Sequence, residues 1–162
     1  MQIVLHEPGI ALNTGNIGRT CTATDTPLHL IRPFGFRLNE KEIRRAGMDY
    51  WEELSVTEHI NWQAFCEYKE KNLPDARLWY LSTKATTLYT DVAFLPDDCL
   101  VFGNESRGLP EELLKADPAH CLRIPMWGAA RSLNLSNAVA IVLYEALRQQ
   151  GFSGRNTHKS IP

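Results

Sequence analysis

The sequence predicts an α/β domain with a mostly parallel sheet flanked by helices, and three observations carry that expectation. Short apolar runs alternate with helix-like segments along the chain, the pattern of successive strand and helix units. The 162 residues suffice for one core of ordinary size and are too few for two. Three loops of unusual polarity adjoin apolar runs, and in parallel sheets ligands gather where strands end.

The elements follow in order. Gln2 to Leu5 reads as a short buried strand, broken by Pro8-Gly9. Asn13-Thr14-Gly15-Asn16-Ile17-Gly18-Arg19 comes next as a glycine loop entering a helix that runs to about Asp25, with Arg19 in its first turn. Leu28 to Ile31 is a second strand. Asn39 resembles an N-cap for a short helix, Glu40 to Ala46, stopped by Gly47. Ser55 to Thr57 is a brief strand, Asn61 to Lys71 a helix capped by Asn61, and Leu78 to Ser82 a strand. Leu100 to Gly103 precedes a polar turn and a helix with Pro110 in its first turn. Leu122 to Pro125 is the last strand, and a helix from Asn134 to Gln150 closes the domain over residues 1–152, leaving 153–162 as a flexible tail.

In that last helix Leu135, Ala138, Val139, Val142, Leu143 and Ala146 share one face, while Ile141, Tyr144 and Leu147 make the opposite side apolar too. Such a helix calls for a further partner surface, most simply a homodimer interface, with enclosure inside the domain as the competing arrangement.

Composition excludes several classes. With 44% hydrophobic and 22% charged residues, the chain is neither disordered nor fibrous. The longest uncharged apolar stretch, Ala138 to Tyr144, is far short of the roughly 20 residues of a membrane span, and no basic leader precedes Ile3, so a cytoplasmic protein is expected. Cys21, Cys66, Cys99 and Cys121 are widely spaced, as reduced core thiols would be, and the five histidines are equally scattered, so no metal is expected. The net charge of −2 is unevenly spread. Arg19 to Arg45 is rich in basic residues whereas Asp91 to Asp117 is acidic, so one end suits phosphates; Arg44 and Arg45 equally suit the solvated face of a short helix.

Each of the three loops admits two uses. Asn13 to Arg19 offers amides to an anion, but the same glycines serve a tight turn. Phe102-Gly103-Asn104-Glu105-Ser106-Arg107-Gly108-Leu109 follows a buried strand, where Glu105 and Arg107 need either each other or a ligand. Arg131-Ser132-Leu133-Asn134-Leu135-Ser136-Asn137 opens the last helix; capping explains one of its polar residues, and there are four.

Together, in order and spacing, these segments closely resemble the three signature motifs of the SPOUT RNA 2′-O-methyltransferases, over nearly the whole chain. Ile3-Val4-Leu5-His6-Glu7-Pro8 and Arg45-Ala46-Gly47-Met48-Asp49-Tyr50 are similar to the stand-alone TrmL (YibK) type, which methylates the wobble nucleotide of tRNA. The resemblance implies a C-terminal trefoil knot, which topology rules alone would argue against. It also implies a homodimer, the tRNA anticodon stem-loop as partner, and S-adenosylmethionine held by Leu81, Gly103, Ile124, Ser132 and Leu133. Arg19, Arg44, Arg45, Arg107 and Arg131 are the expected RNA contacts.

The implied reaction moves a methyl group in line from a sulfonium to the ribose 2′-oxygen of a cytidine or uridine. A guanidinium stays protonated and makes a poor base, so Arg19 is expected to stabilise the nascent alkoxide while phosphate or water takes the proton. Asn16, Glu105, Ser132 and Asn134 are expected to orient the reacting groups. The alternatives are a SPOUT enzyme acting at another tRNA or rRNA position and a non-catalytic RNA-binding module. A nucleotide-binding α/β enzyme would instead need a metal-binding carboxylate near the first loop, where Glu7 is the nearest.

Overall fold

The computed structural model describes residues 1–36 and 53–152; the expected helix at 40–46, with Arg44 and Arg45, and the tail at 153–162 lie outside them. The strands are β1 (Gln2–His6), β2 (Leu28–Ile31), β3 (Val56–His59), β4 (Leu78–Leu81), β5 (Thr87–Leu88), β6 (Cys99–Phe102) and β7 (Cys121–Arg123). All pair in parallel in one sheet of order β3-β2-β1-β6-β4-β7-β5. The helices are α1 (Ala11–Ala23), α2 (Trp62–Asn72), α3 (Glu111–Ala116) and α4 (Leu135–Gln149). The expected α/β architecture is present.

Two-residue periodicity places successive strand residues on opposite sides of the sheet. Ile3 and Leu5 of β1 join Ile17 and Cys21 of α1 and Val139, Val142 and Leu143 of α4 in one core. Val4 points the other way and packs with Phe65 of α2, Tyr80 and Val101. Burial on both faces is why β1, β2 and β6 read as continuous apolar runs. Asn61 caps α2 as expected, its side-chain oxygen accepting the Ala64 amide at 2.9 Å.

Several boundaries differ. The Asn13–Arg19 segment is not a loop: it lies within α1, which begins at Ala11, so Arg19 falls in the third turn. Gly15 and Gly18 are buried in a helix packed against α4, and neither adopts a positive φ. Pro110 precedes the first turn of α3 instead of lying in it. Strand β5 has only two residues, too few to show periodicity, and is held by pairing with β7. Strand β3 begins at Val56 and extends to His59. In α4 Leu147 is buried, one turn from Leu143 on the same side, while Ile141 and Tyr144 remain exposed.

All four cysteines are free thiols, and burial pushes those of Cys21 and Cys99 up to about 12. No helix among the described residues is long and apolar enough to cross a membrane.

His59 belongs to a buried aromatic cluster. The His29 and His59 rings lie 3.1 Å apart, Nδ1 to Nε2, against Phe65 and Tyr68, and His29 Nε2 meets Gln2 Oε1 at 3.3 Å. Burial, reinforced by the neighbouring His59, depresses His29 to about 4, and burial also lowers His59. Below pH 6.5 the unfolded chain therefore binds protons that the folded chain refuses, so stability falls with pH between 6.5 and about 4. We expect His29 to account for up to about 3 kcal/mol of this loss. Thermal unfolding of His29→Phe should vary less than wild type across that window; equal slopes would remove His29 as the cause.

Candidate active site

The carboxyl ends of β4, β6 and β7 converge on a cavity of about 310 Å³. Its walls come from Leu81 to Lys84 after β4, Phe102 to Leu109 at the end of β6, Ile124 and Met126 after β7, and Arg131 to Leu133 with Leu135 and Ala138 at the start of α4. The five residues expected to hold a cofactor, Leu81, Gly103, Ile124, Ser132 and Leu133, all line it.

The loop after β6 is a closed turn. Asn104 and Gly108 exchange backbone hydrogen bonds of 3.2 and 2.8 Å, and the Asn104 side-chain oxygen accepts the amides of Ser106 and Arg107. A Cβ on Gly103 would lie 2.1 Å from the Gly108 carbonyl carbon, so the closure requires glycine at 103. Gly108 has a φ of +70° and no neighbour within 4 Å of its would-be Cβ, leaving this part of the cavity wall open.

This turn is fastened to the chain after β1. Asn104 Nδ2 donates to the Glu7 carbonyl at 2.8 Å, and Arg107 pairs with the Glu7 carboxylate at 3.0 Å. Glu105 makes the central connection. Its carboxylate accepts the Gly9 amide at 2.8 Å, the Ile10 amide at 3.2 Å and Asn13 Nδ2 at 3.0 Å. Helix α1 has no N-cap side-chain hydrogen bond of its own, so a carboxylate from the turn after β6 holds the amides of Gly9 and the N-cap Ile10, next to the positive dipole end of the helix. The first motif thus meets the second through the Asn13 side chain, while the backbone amides held by Glu105 lie just before that motif. Asn13 Oδ1 in turn accepts Asn134 Nδ2 at 2.9 Å, and Asn134 Oδ1 caps α4 through Ser136 N at 2.9 Å. One hydrogen-bonded chain joins all three motifs.

The expected site residues therefore separate. Glu105 and Asn134 have their polar atoms engaged in this chain, Glu105 on the start of α1 and Asn134 on α4 and Asn13. Ser132, Arg107 and Arg131 line the cavity, as does Glu105 beside its hydrogen bonds to the chain before α1. Asn16 and Arg19 are exposed on α1 and do not line it; the helix has carried Arg19 about 12 Å along its axis from Ala11. Asn13, Lys84 and Met126 are additional participants. Lys84 and Met126 were discoverable from the rule that sites lie where parallel strands end, whereas Asn13 is polar and buried, which only the fold reveals. No three His, Cys, Asp or Glu side chains form a metal-binding group among the described residues.

The SpoU rRNA Methylase family matches residues 1–144. The chain belongs to that family. The motif resemblance is therefore borne out, and this membership accounts for the α/β fold. Among its relatives, the tRNA (cytidine(34)-2′-O)-methyltransferase of Saccharophagus degradans is 52% identical over 94% of this chain and 97% of its own length. A structure from work on the 2-OH methylation of C/U34 on tRNA superposes with a TM-score of 0.85 at 43% identity, covering 93% of this chain and 96% of the other. The AdoMet-bound rRNA methyltransferase from Sinorhizobium meliloti gives a TM-score of 0.78 at 26% identity, over 91% of this chain and 55% of that one.

Within the family fold, the Glu105 connection defines a testable contribution. Glu105→Ala should leave two backbone amides and the Asn13 amide without this acceptor and cost about 2 kcal/mol. Glu105→Gln should recover part of that stability while still lacking the charge. Denaturant unfolding of the three proteins checks the order; equal midpoints would dismiss the clamp.

Proposed function

We propose that the protein is an S-adenosylmethionine-dependent tRNA methyltransferase of the TrmL type, acting on the ribose 2′-hydroxyl of cytidine or uridine at the anticodon wobble position. The observation that carries this is a cavity on which all five expected cofactor residues converge, in a chain 52% identical to a tRNA (cytidine(34)-2′-O)-methyltransferase. The cavity fits the methyl donor. Leu81, Ile124 and Leu133 provide apolar walls for an adenine ring, backbone groups from 103 to 108 provide polar edges, and the open space at Gly108 admits a ligand where a side chain would block it. When bound, S-adenosylmethionine supplies an activated methyl group.

The chain's own residues do the rest. Ser132, at the cavity wall, is placed to orient the ribose. Arg107 and Arg131, both exposed there, meet the RNA phosphates, as Arg44 and Arg45 would from the basic segment. Arg19 opposes the negative charge growing on the 2′-oxygen and holds the neighbouring phosphate, while phosphate or water takes the proton. Asn16 lies one turn before Arg19 on the same exposed side of α1 and steadies that phosphate.

Arg19 does not line its own chain's cavity, and Leu12, Ile141 and Tyr144 leave apolar surface uncovered on the packed pair α1 and α4. A homodimer through these helices covers that surface and brings Arg19 of one copy to the cavity of the other. The working enzyme is thus a cytoplasmic homodimer of single domains spanning 1–152, with the loops around the cavity threaded as the family's trefoil knot.

Two outcomes are expected. Arg19→Ala should bind S-adenosylhomocysteine like wild type yet lose methyl transfer to an anticodon stem-loop, and Arg19→Lys should remain poorly active because a point charge lacks the planar fork. Wild-type rates in Arg19→Ala would refute its assigned role, and calorimetry supplies the binding control. Tyr144→Asp should bury an unpaired charge in the interface at several kcal/mol and yield a folded, inactive monomer. Sedimentation with circular dichroism reads this directly, and an active monomer would exclude the shared site.

A further inference from the structure

Trp127 stands on the segment that leaves the cavity at Met126 and returns to it at Arg131. It is 91% exposed, whereas Trp79 is buried against Phe94 and His120 and Trp62 packs among His6, Phe65 and Tyr80. Gly128 follows it, with nothing within 4 Å of its would-be Cβ, so the approach to the indole is open. The nearest cavity-lining cation in sequence, Arg131, is exposed and has no ion-pair partner among the described residues.

A large bare aromatic surface is unfavourable in water, and its chemistry restricts what could cover it. A flat π surface beside a guanidinium at the mouth of a methyl-transfer cavity matches an unpaired nucleobase with its phosphate. Duplex RNA does not present such a face, because its bases are already stacked. A nucleotide whose 2′-oxygen enters the cavity places its sequence neighbours at the rim, where Trp127 is.

We propose that Trp127 is a stacking platform for one unpaired nucleobase of the RNA, adjacent in sequence to the nucleotide being methylated. This rests on the reaction proposed above and adds to it a positioning residue on the RNA side. The ring holds the loop while the cavity holds the methyl donor, so Trp127 acts on RNA affinity and leaves cofactor affinity alone.

The test is methylation of an anticodon stem-loop by the full-length wild type, Trp127→Phe and Trp127→Ala. Intact RNA is compared with RNAs each carrying one abasic loop position. We expect Trp127→Ala to raise KM for RNA roughly tenfold, Trp127→Phe to raise it less, and S-adenosylhomocysteine binding to stay unchanged. At one abasic position wild type should fall to the level of Trp127→Ala, and the substitution should have no further effect there. An unchanged KM in Trp127→Ala overturns the proposal, as do losses that simply add at every abasic position. A parallel fall in S-adenosylhomocysteine affinity would make Trp127 a cofactor cover, and loss of the dimer in sedimentation would make it an interface residue; either also overturns it. Wild type inactive on every stem-loop would instead refute the reaction itself.

Discussion

The architecture of the site depends on one carboxylate. Helix α1 follows β1 after a short connection and has no capping side chain, and Glu105 reaches across from the turn after β6 to accept the amides of Gly9 and of the N-cap residue Ile10, just ahead of the helix. Strands β1 and β6 are hydrogen-bonded neighbours although nearly a hundred residues separate them. Their adjacent carboxyl ends make the connection short enough to form. Through Asn13 the same carboxylate reaches Asn134, so the starts of α1 and α4 are set relative to the turn after β6.

This arrangement explains the turn's exacting geometry. Glu105 can meet α1 only if the loop doubles back, and the close contact between residues 103 and 108 leaves no room for a side chain at Gly103. Asn104 and Arg107 then fasten the turn to Glu7 from the other side. The polar residues that look like a reactive cluster in the sequence are divided by the fold. Glu105, Arg107, Arg131 and Ser132 line the cavity, whereas Asn16 and Arg19 lie outside its wall.

That division marks where sequence and structure part. That Leu81, Gly103, Ile124, Ser132 and Leu133 line one cavity was legible through the motif resemblance, because these residues sit in or beside contiguous segments next to strand ends, where parallel sheets gather their loops. The position of Arg19 was not legible. Asn and Gly disfavour helices, so Asn13 to Gly18 read as a loop, yet the Glu105 carboxylate and packing against α4 stabilise a helix there. Local propensity yielded to contacts from residues far along the chain.

The amino-acid sequence by itself determined most of the strand and helix units, β5 and the start of α1 excepted, together with the burial of both faces of β1, β2 and β6 and the family, because each is encoded in short-range periodicity or in contiguous motifs. Only the tertiary structure decided that Glu105 is spent on the start of α1, that Arg19 lies away from its own cavity, and that His29 and His59 share a buried contact. Each of these depends on residues brought together across the sheet, where strand order, which no local pattern encodes, sets the distances.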